Sequence, residues 1–384
     1  MAQFSFDTPA RIMCEQGGAG RLGEISKGLG ISRLFLVTDA GLVRAGLVEP
    51  ALASLAAAGI EVTVFSDVLA DPPEATVLAS VEAAKQANID GVVGFGGGSS
   101  MDTAKLVALL ACTPQQVSDV YGIGLARGPR FPLIQVPTTA GTGSEATPIS
   151  IVTTPSSEKK GVVSSHLYPD VALLDSRLTL GLPPAVTAMT GVDAMVHAIE
   201  AYTTRHKKNP LSDALAIKAL QLLYHNLPAA VDDGTDPVVR EAMLIGSLFA
   251  GMAFANAPVA AVHALAYPLG GHYHLPHGLT NSLVLCPVLE FNLPAAIAPY
   301  AELGRAIEPA LRDAGDEAAA RAFIDAMRRR VVAMPYAQTL REAGVAESDL
   351  EVLATDAMKV QRLLVNNPRE VTHLDALAIY RAAF

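Results

Sequence analysis

A strand, three glycines and a helix follow one another at Gly91-Val92-Val93-Gly94-Phe95, Gly96-Gly97-Gly98-Ser99-Ser100 and Met101 to Leu110, and this succession leaves the first half of the chain few folds. The strand holds no polar side chain, so both its faces need cover. Two strand and helix pairs precede it: Leu34 to Thr38 with a helix from Leu42 to Ala58, then Glu61 to Phe65 with a helix from Glu74 to Asn88. Such alternation predicts a parallel sheet covered by helices, an α/β architecture of the nucleotide-binding type. Phe131 to Val136, Ile149 to Thr153 and Val171 to Leu174 read as further strands. Gln3 to Phe6 and Arg11 to Met13 read as short ones near the start.

Glycines at the head of a helix let backbone N–H groups approach a pyrophosphate, though a tight turn or close helix packing uses them too. The run departs from the dinucleotide fingerprint, because Ser99 stands where a third glycine falls. Asp39, ending its strand, either accepts hydrogen bonds from ribose hydroxyls, which predicts NAD over NADP, or caps the next helix. Thr138-Thr139-Ala140-Gly141-Thr142-Gly143-Ser144-Glu145 offers hydroxyls and amides to a cofactor, or is a plain turn. Lys160 falls in a charged turn, where a solvated lysine is the default.

From Pro183 and Pro184 onward, long alanine-rich segments at helical spacing replace the strands. The expected division is an α/β domain over residues 1–182 and a helical domain over 183–384. Seven of the nine histidines fall between Asp193 and His277, in a segment too apolar for a solvated histidine-rich tail. Asp193 and His197 share a helix face at a spacing of four. His263 lies on a later apolar helix, and His277 follows after Pro268, Gly270, Gly271 and Pro276 break that helix. Singly, these are a capping pair, a core histidine and, with His272 and His274, polar groups lining a cleft. Jointly, one carboxylate and three imidazoles suit Fe²⁺, Zn²⁺ or a similar ion with a position left open for substrate.

A formal net charge of −10 leaves no basic footprint, which argues against nucleic acid and anionic membrane surfaces and favours small molecules. Cys14, Cys112 and Cys286 are too scattered for a disulfide framework or a thiolate site, as fits a reducing cytoplasm. Met1 to Pro9 lacks the pattern of a secretory leader, and no uncharged run of about 20 apolar residues is evident.

The glycine run with Asp102 and Lys105, the segment Pro137 to Glu145, Gly191-Val192-Asp193-Ala194 with His197, and His263 to Gly278 together resemble the iron-containing (group III) alcohol dehydrogenases of the dehydroquinate synthase-like superfamily. The resemblance runs over nearly the whole chain. It implies a Rossmann-like N-terminal domain, an all-α C-terminal domain and Asp193, His197, His263 and His277 as metal ligands, with Fe²⁺ ahead of Zn²⁺. It implies NAD contacts at Asp39, Gly96, Gly97, Gly98, Ser99, Asp102, Thr138, Thr139, Thr142, Thr147 and Lys160, and a homodimer joined through N-terminal strands. Tyr267 stands where many members carry a histidine that assists proton transfer, and Asp71 where many carry asparagine. An unperturbed tyrosine has a pKa of about 10 and is a poorer base near neutrality, so the released proton is expected to reach water through Tyr267, His272, His274 or a ribose hydroxyl, with His274 near the Tyr267 turn favoured. The implied reaction is hydride transfer between NAD(H) and a small alcohol or aldehyde. Reduction of an oxoacid, hydroxyacid–oxoacid transhydrogenation and a dehydroquinate synthase-like lyase are the alternatives. A carboxylated substrate wants a basic partner, and Asp193 to Gly278 supplies few lysines or arginines.

Overall fold

Leu34 and Leu36 alternate along one strand with Phe35 and Val37, and the two pairs enter separate apolar cores, so this strand is buried on both faces. The structure, a computed structural model, describes residues 3–156 and 158–384. The chain falls into two units: Asp7–Gly181, and Leu182–Phe384 with the short segment ending at Phe6.

In the first unit the strands are β1 (Arg11–Cys14), β2 (Arg33–Val37), β3 (Glu61–Phe65), β4 (Gly91–Gly96), β5 (Gly122–Ile123), β6 (Leu133–Pro137), β7 (Ile149–Thr153), β8 (Lys159–Val163) and β9 (Val171–Leu174). Six of them form one parallel sheet in the order β1-β9-β6-β4-β2-β3. Its central strands β4, β6 and β9 are buried along their whole length, the pattern expected where helices cover both faces. Helices Glu74–Gln86 and Gly98–Leu110 close one core with Phe35, Val92 and Leu133; Leu22–Gly28 and Glu49–Ala57 close the other with Leu36, Val93 and Ile134. The remaining strands β5, β8 and β7 make a small second sheet, with β5 and β8 parallel and β7 and β8 antiparallel.

The structure corrects several sequence expectations. Gln3 to Phe6 is neither strand nor helix. The helix expected from Leu42 to Ala58 is two, Ala40–Arg44 and Glu49–Ala57, because Gly46 turns the chain at φ 70° and Pro50 restarts it in a first helical turn. Lys160 lies in β8, not in a turn.

The second unit contains no strand among the described residues. Helices Pro184–Thr203, Pro210–Asp232 and Pro237–Asn256 each open on a proline, where the missing N–H costs nothing. Asn209 and Asp236 cap the second and third of these. Helix Ala261–Tyr273 continues through Pro268, Gly270 and Gly271, contrary to expectation; it ends at His274, whose φ is 54°, just before Pro276. Helix His277–Ile307 likewise runs past Pro294 with a kink at Ala296. Pro237–Asn256 and His277–Ile307 are long and apolar enough to cross a membrane, but both pack as core helices, with 56% and 50% of their most apolar stretches buried inside the protein. Asp316–Val332, Leu350–Ala357, Gln361–Leu364 and His373–Ala383 complete the unit.

Candidate metal centre and nucleotide loops

Helix Pro184–Thr203 is buried from Gly191 onward and carries Asp193, His197 and Glu200. Spacings of four and three place these side chains on one stripe. His263 stands in the first turn of Ala261–Tyr273, and His277 is the first residue of the helix that Pro276 opens.

These elements bring Asp193, His263 and His277 together, with one donor atom from each inside a mutual distance of 4.8 Å. Asp193 Oδ1 lies 3.8 Å from His263 Nε2 and 3.8 Å from His277 Nε2. Atoms bound about 2.1 Å from one ion stand at most about 4.2 Å apart, and both separations fall inside that limit. Asn281, one turn after His277, aims its amide nitrogen at the middle of the group. That nitrogen is 2.5 Å from Asp193 Oδ1, 3.3 Å from His263 Nε2 and 3.2 Å from His277 Nε2. Lone pairs converging on a hydrogen-bond donor form the electrostatic complement of a cation, so the residues present fit a divalent metal. His197 is close to this group but not one of its three members. Its ring stacks between Phe254, at 4.3 Å, and His263, at 4.7 Å.

Glu200 fixes the chemistry of His263. One carboxylate oxygen lies 2.6 Å from His263 Nδ1 and the other accepts the Val262 N–H at 2.7 Å. With the Nδ1 proton held by the carboxylate, the Nε2 lone pair faces Asp193. Glu200→Gln is expected to weaken metal binding about 10- to 100-fold, read by competition with a chromogenic chelator. Gly278 sets the spacing between helices, since a Cβ there would meet the Met189 carbonyl oxygen at 2.3 Å. Backbone cannot yield as a side-chain tip can, so Gly278→Ala is expected to cost about 3 kcal/mol, near the top of the overpacking range, and to loosen the metal site; thermal melts and the same chelator assay check this.

The two residues assigned to proton transfer are placed differently. The Tyr267 ring lies 6.0 Å from that of His277, and its hydroxyl accepts from Arg362 at 3.4 Å. His274 is exposed at the left-handed helix end, and the neighbouring His272 is engaged with Asp356 at 2.6 Å.

In the α/β unit, Gly97 opens helix Gly98–Leu110 with no side-chain cap, the kind of helix start whose first N–H groups can bind an anion. A Cβ on Gly98 would come within 2.8 Å of the Thr142 methyl, so the glycine lets the threonine segment lie against the helix start. Thr138 N–H donates to the Gly96 carbonyl at 3.0 Å, and a Cβ at Gly97 would lie 3.6 Å from the Thr139 hydroxyl. The Ser99 hydroxyl accepts from the Asp71 N–H, and Asp71 forms an ion pair with Lys159. Asp39 caps its helix through Oδ1, which accepts from Gly41 and Leu42 at 2.8 and 3.0 Å. The capping reading therefore holds and engages one oxygen only. Lys160 sits 5.6 Å from the centre of the Tyr121 ring.

Asp102 and Thr147 join a buried network around Lys105. The ammonium donates to Ser144 Oγ, Thr147 Oγ1 and the Ile149 carbonyl at 2.8, 3.2 and 2.6 Å, and lies 3.5 Å from Asp102. Asp102 also accepts from Ser144 Oγ and Ile151 N–H at 2.6 and 2.8 Å. Burial raises the Asp102 carboxyl and lowers the Lys105 ammonium, each opposed by attraction to the other. Burial also pushes the Glu145 carboxyl up to about 7.

Sequence reasoning passed over Glu200 and Asn281, although each stands three or four residues beyond a proposed ligand on the same helix. Arg362 carried no signal, because the Tyr267 hydroxyl that its guanidinium reaches is distant in sequence.

Residues 9–176 match the family described as iron-containing alcohol dehydrogenase, and residues 187–384 match the Fe-containing alcohol dehydrogenase family, C-terminal. The chain is 38% identical over 380 residues to the probable alcohol dehydrogenase EutG of Salmonella typhimurium, covering 99% of this chain and 94% of that one. It is 34% identical over 380 residues to the NAD-dependent methanol dehydrogenase of Bacillus methanolicus, covering 99% of both. Among solved structures it is similar to 1,3-propanediol oxidoreductase, with a TM-score of 0.96, 35% identity and full coverage of both chains.

Proposed function

The chain belongs to the iron-containing alcohol dehydrogenase family, and from that premise we propose that it interconverts a small alcohol and its aldehyde with NAD(H) at a centre held by Asp193, His263 and His277, with His197 as fourth ligand. One observation carries the reading: a carboxylate and two imidazoles turn their lone pairs on a point taken by the Asn281 amide hydrogens. When bound, a divalent ion, Fe²⁺ before Zn²⁺, supplies Lewis acidity toward an alcohol or aldehyde oxygen.

The chain's own residues provide the rest. Glu200 keeps His263 in the tautomer whose Nε2 accepts, and Phe254 gives the centre an apolar wall against His197. Tyr267 is the proposed proton carrier next to His277, with exposed His274 passing the proton to water. For the dinucleotide, the uncapped N–H groups after Gly97 receive the pyrophosphate, and Thr138, Thr139 and Thr142 pack the loop that faces it. Asp102 and Thr147 act through the Lys105 network, and Lys160 offers a positive charge. The Asp39 carboxylate binds ribose hydroxyls and repels a 2′-phosphate, favouring NAD over NADP. The proposal extends to a cytoplasmic homodimer without nucleic-acid or membrane partners. Gln3 to Phe6 joins no ladder among the described residues and exposes Phe4, which suits pairing with a second copy.

Anaerobic purification with elemental analysis, followed by NADH-linked assays on a panel of alcohols and aldehydes, tests this. Turnover is expected to vanish on chelation and return with Fe²⁺. Turnover that survives complete metal removal overturns the reading, whereas product formation without net NADH change favours a lyase.

A further inference from the structure

In the same helical unit as the metal centre stands a guanidinium with no acidic partner among the described residues. Arg362 Nη2 donates to the Tyr267 hydroxyl at 3.4 Å, and Arg362 Cζ lies 5.7 Å from the Tyr267 ring centre. That ring lies 6.0 Å from the His277 ring, so the two spans end to end keep the guanidinium within about 12 Å of a metal-site residue. The backbone beneath it is anchored. Asn366 Nδ2 donates both to the Arg362 carbonyl at 3.1 Å and to the Val259 carbonyl at 3.0 Å, tying it to the segment that leads into His263. Leu363 and Leu364, the next two residues, are buried.

The neighbouring Asp356 is shared by His272 and Lys359 at 2.6 Å each, and Arg205 donates to the Val365 carbonyl at 3.2 Å, so Arg362, stacked near Tyr267, is left without a carboxylate among the described residues. A guanidinium stays charged across the working pH range, and its planar fork matches two oxygens of an oxyanion. The chain as a whole is acidic, at −10, so an anionic substrate needs a dedicated cation to approach.

We propose that Arg362 is a specificity-determining residue that selects short aldehydes and alcohols carrying a carboxylate or sulfonate at the end remote from the reacting carbon. This deepens the alcohol–aldehyde reading of the centre and rests on it. Neutral aldehydes remain substrates without this grip. The basic partner that is scarce between Asp193 and Gly278 is in this reading supplied by helix Gln361–Leu364, further along the chain.

The test compares wild type with Arg362→Met and Arg362→Lys in the metal-loaded protein. NADH-linked reduction of succinate semialdehyde, 3-oxopropanesulfonate and butanal is followed, and butanoate and propanesulfonate binding is measured by calorimetry. In Arg362→Met the ratio of kcat/KM for anionic over neutral aldehyde is expected to fall at least tenfold, chiefly through KM, with lysine restoring part of it. Rising ionic strength is expected to lower the wild-type ratio, because the group is exposed. A larger fall for the carboxylate or for the sulfonate identifies which oxyanion is preferred. An unchanged ratio together with unchanged anion binding overturns the proposal. If no aldehyde is reduced by wild type yet Arg362→Met loses anion binding, the alcohol–aldehyde reading fails and the anion site stands.

Discussion

Asp193→Asn is expected to strip the metal and to lower kcat/KM for any alcohol by about a thousandfold or more. Asp193 is the one anionic member of the converging group, so its loss leaves neutral imidazoles to hold a divalent ion. The Lewis acidity of a bound ion contributes several kcal/mol to the transition state, and each 1.36 kcal/mol is a factor of ten. Asparagine keeps the shape and still offers an oxygen to the Asn281 amide, which now lies 2.5 Å from Oδ1. The metal-free variant is therefore expected to melt within about 1 kcal/mol of the metal-free parent. Elemental analysis, a melt and an NADH-linked assay separate these effects. A variant that retains a full metal complement and activity within tenfold of the parent removes Asp193 from the centre.

How much of this was legible depends on whether a residue's neighbours are local. The parallel sheet followed from apolar runs such as Gly91 to Phe95, because a strand buried on both faces has no room for polar side chains. The helical half followed from its alanine-rich periodicity. Of the small sheet only β7 is legible: β5 has two residues and β8 begins with two lysines, so neither shows an apolar period. Pro268 was read as a break, yet a buried helix tolerates the loss of one hydrogen bond when packing on either side holds it. Asp193, His263 and His277 stood out because metal-binding side chains are rare in so apolar a setting. Glu200 and Asn281 were visible only once the helices were placed, as the neighbours three or four residues along. Arg362 depends on a contact across 95 residues, which no local pattern encodes. His274 shows the converse, a residue whose type pointed to proton transfer from sequence alone while its helix-ending backbone, at φ 54°, showed only in the structure.

Lys105→Met is expected to cost about 3–5 kcal/mol and to raise KM for NAD more than it lowers kcat. The methionine fills the space but leaves Asp102 as a buried carboxylate without its counter-charge, a loss of that size in comparable buried pairs. It also frees Ser144, Thr147 and the Ile149 carbonyl, which the ammonium now gathers from one loop onto helix Gly98–Leu110. With that tether gone, the segment that packs Thr142 against Gly98 loses its fixed position, and dinucleotide binding weakens before chemistry does. A melting shift on the order of 10 °C follows for a unit of this size. The double variant Lys105→Met with Asp102→Asn is expected to lose less than the two single changes together, since the orphaned charge is then absent. Glu145 adds a pH signature to the same cluster. Its carboxyl is raised by burial from 4.5 to about 7, so the folded state prefers it protonated. The associated stability is complete below about pH 4.5 and is lost as pH rises through about 7, and Glu145→Gln flattens that window. Melts across this range, on parent and variants, decide the matter: a Lys105→Met protein within about 1 kcal/mol of the parent, with unchanged KM for NAD, shows that the network neither holds the loop nor positions the cofactor.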